Sequence, residues 1–135
     1  METPYILFQA GKINFLVLME YVDVIDRAGS VSSQNIPVYD FAGICGLKKN
    51  GGRSSYALLM HTDSCRFGIV SDRVVDVVNI SDGDILSLEG PALWEKNNYL
   101  AGVVWTGNPE PPAMYYIDVP SLYERVSSSE PDYWF

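Results

Sequence analysis

At 135 residues, with 47% hydrophobic and 19% charged side chains, the chain carries enough apolar material for one core. A domain of this length buries roughly two thirds of its extended surface, so disorder through lack of hydrophobic residues is excluded. Nine Lys and Arg against 17 Asp and Glu give a formal charge of -8, which repels phosphate backbones and anionic lipid surfaces and argues against nucleic acid as a partner.

The first apolar run, Tyr5 to Phe8, is too short and lacks the basic flank of a secretory signal. No stretch approaches the roughly 18 apolar residues of a membrane span, so direct membrane insertion is not expected. Cys45 and Cys65, without a secretory context, read as two reduced thiols of a cytoplasmic protein.

The apolar segments are short, rich in Val, Ile, Tyr and Phe, and separated by turn residues, which predicts an all-β chain. Tyr5 to Ala10 and Ile13 to Met19 flank Gly11-Lys12, a two-residue connection suited to a tight hairpin. Glu20 to Ile25 alternates and fits either a continued strand or one helical turn. Arg27 to Gln34 reads as a connection, and Asn35 to Tyr39 as a short strand in which Pro37 suits an edge or an end. Lys48 to Ser54, with its glycine pair, suits an exposed loop.

Tyr56 to His61 and Cys65 to Ser71 predict a second hairpin across Thr62-Asp63-Ser64, and Val74 to Ile80 a further strand. Ser81 to Asp84 is turn chemistry, whereas Ile85 to Asn98 carries mixed signals around Gly90-Pro91. Tyr99 to Trp105 and Ala113 to Ile117 are expected as the last two strands, bracketing a proline-rich loop from Gly107 to Pro112. Asp118 as an N-cap and Pro120 in the first turn predict a short helix through about Val126. Beyond it, SSSEPDYWF forms a polar spacer leading to Tyr133-Trp134-Phe135, which can dock on its own domain, serve as a tethered recognition peptide, or fray.

Reactive constellations fail on partner count or spacing. His61 is the sole histidine, inside an expected strand; Cys65 could lie across the turn from it, but a partly exposed strand histidine with no special role is the favoured reading. One histidine and two cysteines fall short of a four-ligand structural zinc site unless carboxylates complete it, and no CxxC or HExxH spacing occurs. Asp82-Gly83-Asp84 opens like a calcium loop, but Leu93 stands where the bidentate Glu belongs. Lys48, Lys49 and Arg53 surround Gly51-Gly52 without the order of a P-loop. Asp23 with Asp26, or Asp72 with Asp76, could do acid-base work only inside a pocket that the sequence does not indicate. Tyr99, Trp105, Tyr115 and Tyr116 read as core fillers before ligand stackers. A non-catalytic chain without a cofactor is the expectation.

In segment order the chain resembles the CheW-like family. The resemblance rests on Val22 to Ile25 after the opening hairpin, on Ile36-Pro37-Val38-Tyr39-Asp40-Phe41 with Cys45-Gly46-Leu47, and above all on Gly68-Ile69-Val70-Ser71-Asp72-Arg73-Val74-Val75-Asp76-Val77-Val78. Tyr99 to Val103 and Ile117-Asp118 to Val126 complete it. It implies two small SH3-like β-barrel subdomains sharing one core, with a short C-terminal helix, over residues 1–126, followed by a flexible aromatic-ended tail over 127–135. It also implies an adaptor that joins a chemoreceptor cytoplasmic tip to the regulatory domain of a histidine kinase, without catalysis. Val22 and Ile25 match the family region that meets receptor tips. Asp72, Arg73 and Asp76 are the conspicuous charges of the best-matched block, and an ion pair between Arg73 and a neighbouring Asp competes with partner contact. One departure stands out: only Asp26 to Asn35 connects VDVI to IPVYD, with Ser32-Ser33 where the family carries Arg-Gly. A trimmed adaptor and a self-associating homodimeric module outside the core array are the two readings this leaves.

Overall fold

The computed structural model describes residues 2–27, 35–44, 56–87, 99–105, 113–128, 130–131 and 133–134. The chain opens on β1 (Glu2–Ala10) and β2 (Ile13–Leu18), paired antiparallel with Ala10 opposite Ile13. Gly11 and Lys12 have φ of 59° and 80°, so both central residues of the turn are left-handed, as a two-residue hairpin twisted to match its strands requires. The segment after it takes both forms the sequence left open: a 3-10 turn at Met19–Tyr21, then β3 (Val22–Arg27).

β4 (Pro37–Asp40) runs straight into a single helical turn, α1 (Phe41–Ile44). The expected second hairpin is formed by β5 (Tyr56–His61) and β6 (Arg66–Ser71), closed by the Thr62 N–H donating to the Cys65 carbonyl at 2.8 Å. β7 (Arg73–Ser81), a two-residue β8 (Leu86–Ser87), β9 (Leu100–Trp105) and β10 (Ala113–Ile117) follow. The expected loops at Lys48 to Ser54 and Gly107 to Pro112, the family match at Cys45 to Leu47 and most of the shortened connection lie outside the described residues.

The closing helix α2 (Val119–Val126) begins as its sequence dictates. The Asp118 carboxylate accepts hydrogen bonds from the Ser121 N–H, at 3.2 Å, and from the Ser121 hydroxyl. Val119, Leu122 and Val126 recur at helical spacing and are all buried. Beyond α2, Tyr133–Trp134 forms β11, antiparallel to β4.

The strands make two sheets, ordered β7-β1-β2-β10-β9-β8 and β11-β4-β6-β5-β3. Each mixes directions, since β10 runs parallel to β2 and β4 parallel to β6. Side chains that alternate along a strand point to opposite faces, and the core follows that rule. Ile6, Phe8, Phe15 and Val17 of the first sheet meet Tyr39, Leu58, Met60, Phe67 and Ile69 of the second in one shared core, closed by Phe41 and by Leu122 of α2. The intervening residues face away from it: Tyr5 and Leu16 join Ile80 and Val104 on the far face of the first sheet, and Val38, Ala57, Leu59 and Val70 cluster on the far face of the second. Central strands buried on both faces read as continuous apolar runs, as INFLVL and YALLMH do. The expected all-β organisation around one shared core is observed, as two sheets.

Candidate docking surface

The residues singled out from sequence fall on two edge strands, one in each sheet. β3 pairs with β5 on one side and forms the border of its sheet among the described residues. Its register shifts between Val22 and Val24, so Asp23 is the extra residue of a bulge. Val22 lies opposite Met60 and packs partly against the shared core. Ile25, opposite Leu58 on the same face, is 40% exposed, and Val24 on the other face is 44% exposed. Two large aliphatic side chains, one on each face of an open edge strand, are left uncovered by folding. Val24 was not singled out from the sequence, because a regular alternation over EYVDVI does not reveal the bulge that sets its orientation.

Asp23 is held by its neighbours. Its Oδ1 lies 2.7 Å from His61 Nδ1, and its Oδ2 lies 3.9 Å from Arg66 Nε. His61 and Arg66 stand directly opposite each other in β5 and β6. The three side chains therefore stitch β3, β5 and β6 together at one end of the sheet. All three are partly solvated, so the stitch contributes up to about 1 kcal/mol per pair.

This arrangement also answers the question of a Cys-His pair. The Nδ1 of His61 engages Asp23, and Cys65 turns to other partners: its thiol meets the Ser64 hydroxyl at 3.6 Å and the hydroxyls of Tyr123 and Thr62. The hydrogen bond from Tyr123, then that from Ser64, holds the thiol below its ordinary range, and the same contact raises the Tyr123 phenol. No hydrogen bond joins His61 to Cys65 among the described residues. Close by, Tyr21, Asp63, Ser64, Pro120, Tyr123 and Glu124 border an open depression of about 360 Å³. It presents carboxylates and hydroxyls, without a histidine or lysine among its lining residues. No group of His, Cys, Asp and Glu side chains that could hold a metal occurs among the described residues.

The charged block divides by role. Asp72, between β6 and β7, turns inward: its Oδ2 accepts from the Gly11 N–H at 2.7 Å, and its own N–H donates to the Gln9 carbonyl at 3.1 Å. Arg73 and Asp76 are exposed on β7, which borders the other sheet. Arg73 lies opposite Gln9 and makes no ion pair among the described residues, while Asp76 accepts from the N–H of Val77 at 2.8 Å. The ion pair weighed against partner contact is therefore not formed. A bulge at Val75 leaves Val75 and Val77 39% and 46% exposed beside these charges. The structure thus brings Val22 and Ile25 together on one edge, Arg73 and Asp76 on another, and assigns Asp72 to the hairpin turn.

No helix among the described residues is long and apolar enough to cross a membrane. A search of curated proteins gives no match. Among solved structures, the chain is similar to the scaffolding protein TtCheW from Thermoanaerobacter tengcongensis, with a TM-score of 0.68 at 16% identity, covering 87% of this chain and 89% of that one. The family model described as "CheW-like domain" matches residues 23–127, from the Asp23 bulge of β3 to the residue after α2. By that match, over most of its length, the chain belongs to the CheW-like family.

Proposed function

We propose that this domain is a cytoplasmic, non-catalytic adaptor of chemotaxis-type signalling, coupling a chemoreceptor signalling tip to the regulatory domain of a histidine kinase. The observation that carries the reading is the open edge of β3, where Ile25 stays exposed beside Val22 on one face and Val24 on the other, within the part of the chain that matches the family. An open sheet edge with exposed aliphatic side chains suits a partner that brings an apolar surface of its own. The second exposed surface, Arg73, Val75, Asp76 and Val77 on β7, lies on the other sheet, and two separated surfaces suit a protein with two partners. In this reading Val22 supports Ile25 from below, Arg73 and Asp76 meet the kinase, and Asp72 acts by holding the turn beside them.

The test is co-precipitation of the folded, monodisperse chain with a receptor signalling fragment and a kinase regulatory domain from the same organism. Wild type is expected to retain both. Ile25→Glu should lose the receptor fragment alone, and the pair Arg73→Glu with Asp76→Lys the kinase domain alone. Retention of neither component by wild type would overturn the reading.

A further inference from the structure

The short strand β11 covers the edge of β4, and its attachment there differs from every other pairing in the sheet. Among the described residues, Tyr133 opposite Val38 and Trp134 opposite Pro37 are in register, against six residue pairs between β5 and β6. Pro37 contributes no backbone donor to either neighbour. The helix before the tail is complete without it: the Ser127 N–H bonds the Tyr123 carbonyl at 2.9 Å. The segment 127–132, SSSEPD, has no large apolar side chain to anchor it. β11 can therefore leave β4 without opening α2.

What β11 leaves behind cannot stay bare at no cost. β4 carries Val38 and Tyr39, both buried, and an uncovered strand with apolar side chains on both faces is a template for another strand. The strand that fits it is known, because one is seated on it in cis, and every further copy of the chain carries the same strand on a spacer that spans up to about 20 Å when extended. We propose that β11 is an exchangeable strand: the tail of a second copy can replace the chain's own β11 along β4, joining copies by reciprocal exchange. A tether of this length gives the chain's own strand an effective concentration on the order of 1 mM. Exchange therefore governs crowded assemblies, and dilute chains close on themselves. The inference does not rest on the adaptor reading, since it concerns only β4 and β11.

The experiment uses the full chain, a labelled peptide of residues 127–135, and the double variant Tyr133→Pro with Trp134→Pro, which cannot pair its own tail; Tyr133→Gly with Trp134→Gly replaces it if the proline form does not fold. By fluorescence anisotropy the variant, with the circular dichroism of wild type, should bind the peptide at least about tenfold more tightly than wild type does, and should ignore a scrambled peptide. In sedimentation at about 1 mM, wild type should populate a dimer that the variant lacks. No peptide binding by a folded variant, equal binding of the scrambled peptide, a monomeric wild type, or a dimer that persists in the variant would each overturn the proposal.

Discussion

The carboxylate of Asp72 accepts a 2.7 Å hydrogen bond from the backbone N–H of Gly11, 61 residues away in the chain. It ties the link between β6 and β7 to a hairpin turn whose second residue, Lys12, sits at a φ of 80°. A non-glycine residue there costs roughly 1–2 kcal/mol, so the turn benefits from an external clamp. Asp72→Ala leaves the partly buried N–H without its partner and should lower stability by about 1–3 kcal/mol in urea unfolding. Asp72→Asn, which keeps an acceptor oxygen, should lose less. Equal losses for the two variants would show that the clamp does not act through this hydrogen bond.

Phe41 stands where the two sheets meet. It is fully buried, with ring centroids 4.8 Å from Phe15, 5.4 Å from Phe8 and 6.2 Å from Tyr99. Phe41→Ala should cost about 3–5 kcal/mol, because it removes one ring from a three-sided aromatic contact and leaves a cavity. Phe41→Leu, which keeps most of the apolar volume, should cost less. A loss under about 1 kcal/mol for the alanine variant would mean that the sheets are held elsewhere.

How much of this was legible in the sequence depends on how far each interaction reaches. Gly11-Lys12 between two apolar runs announces its hairpin, and Asp118 with Pro120 announces α2, because turns and caps are written in adjacent residues. The parallel pairings of β10 with β2 and β4 with β6 join segments distant in the chain and have no local signature. The candidate surface was half legible for the same reason. Ile25 and Arg73 emerge from the motif, but the bulges at Asp23 and Val75 decide which neighbours are exposed. Asp72 looks like a surface charge until its partner 61 residues away is placed beside it.

Cys65 should be the more reactive kind of thiol, since hydrogen bonds from Tyr123 first and Ser64 next hold it below its ordinary range. In a Cys45→Ser background, Tyr123→Phe removes the stronger of these bonds and should shift the pH profile of iodoacetamide labelling towards higher pH. Ser64→Ala should shift it the same way by less. An unmoved profile in Tyr123→Phe would exclude the contact as the cause.

Tyr116 makes the chain's alkaline limit measurable. Its phenol is pushed up to about 12 by burial first, then by Tyr5 and the carboxylate of Asp118, with Tyr21 and Glu20 adding further. The Tyr5 ring packs edge-on against it, with centroids 5.6 Å apart. Below about pH 10 both folded and unfolded chains keep this proton, so the contribution to stability is fully present. Between about 10 and 12 the unfolded chain releases the proton while the folded chain retains it, so stability falls as pH rises through that window. Tyr116→Phe has no proton to release, so its urea midpoint should decline less steeply than that of wild type between about pH 9.5 and about pH 11.5. Tyr5, Tyr21, Tyr39 and Tyr123 are raised as well, so a residual slope is expected. The comparison is between slopes, which separates the ionisation from any packing lost with the hydroxyl. Parallel declines in the two proteins would show that Tyr116 ionises alike in the folded and unfolded chains.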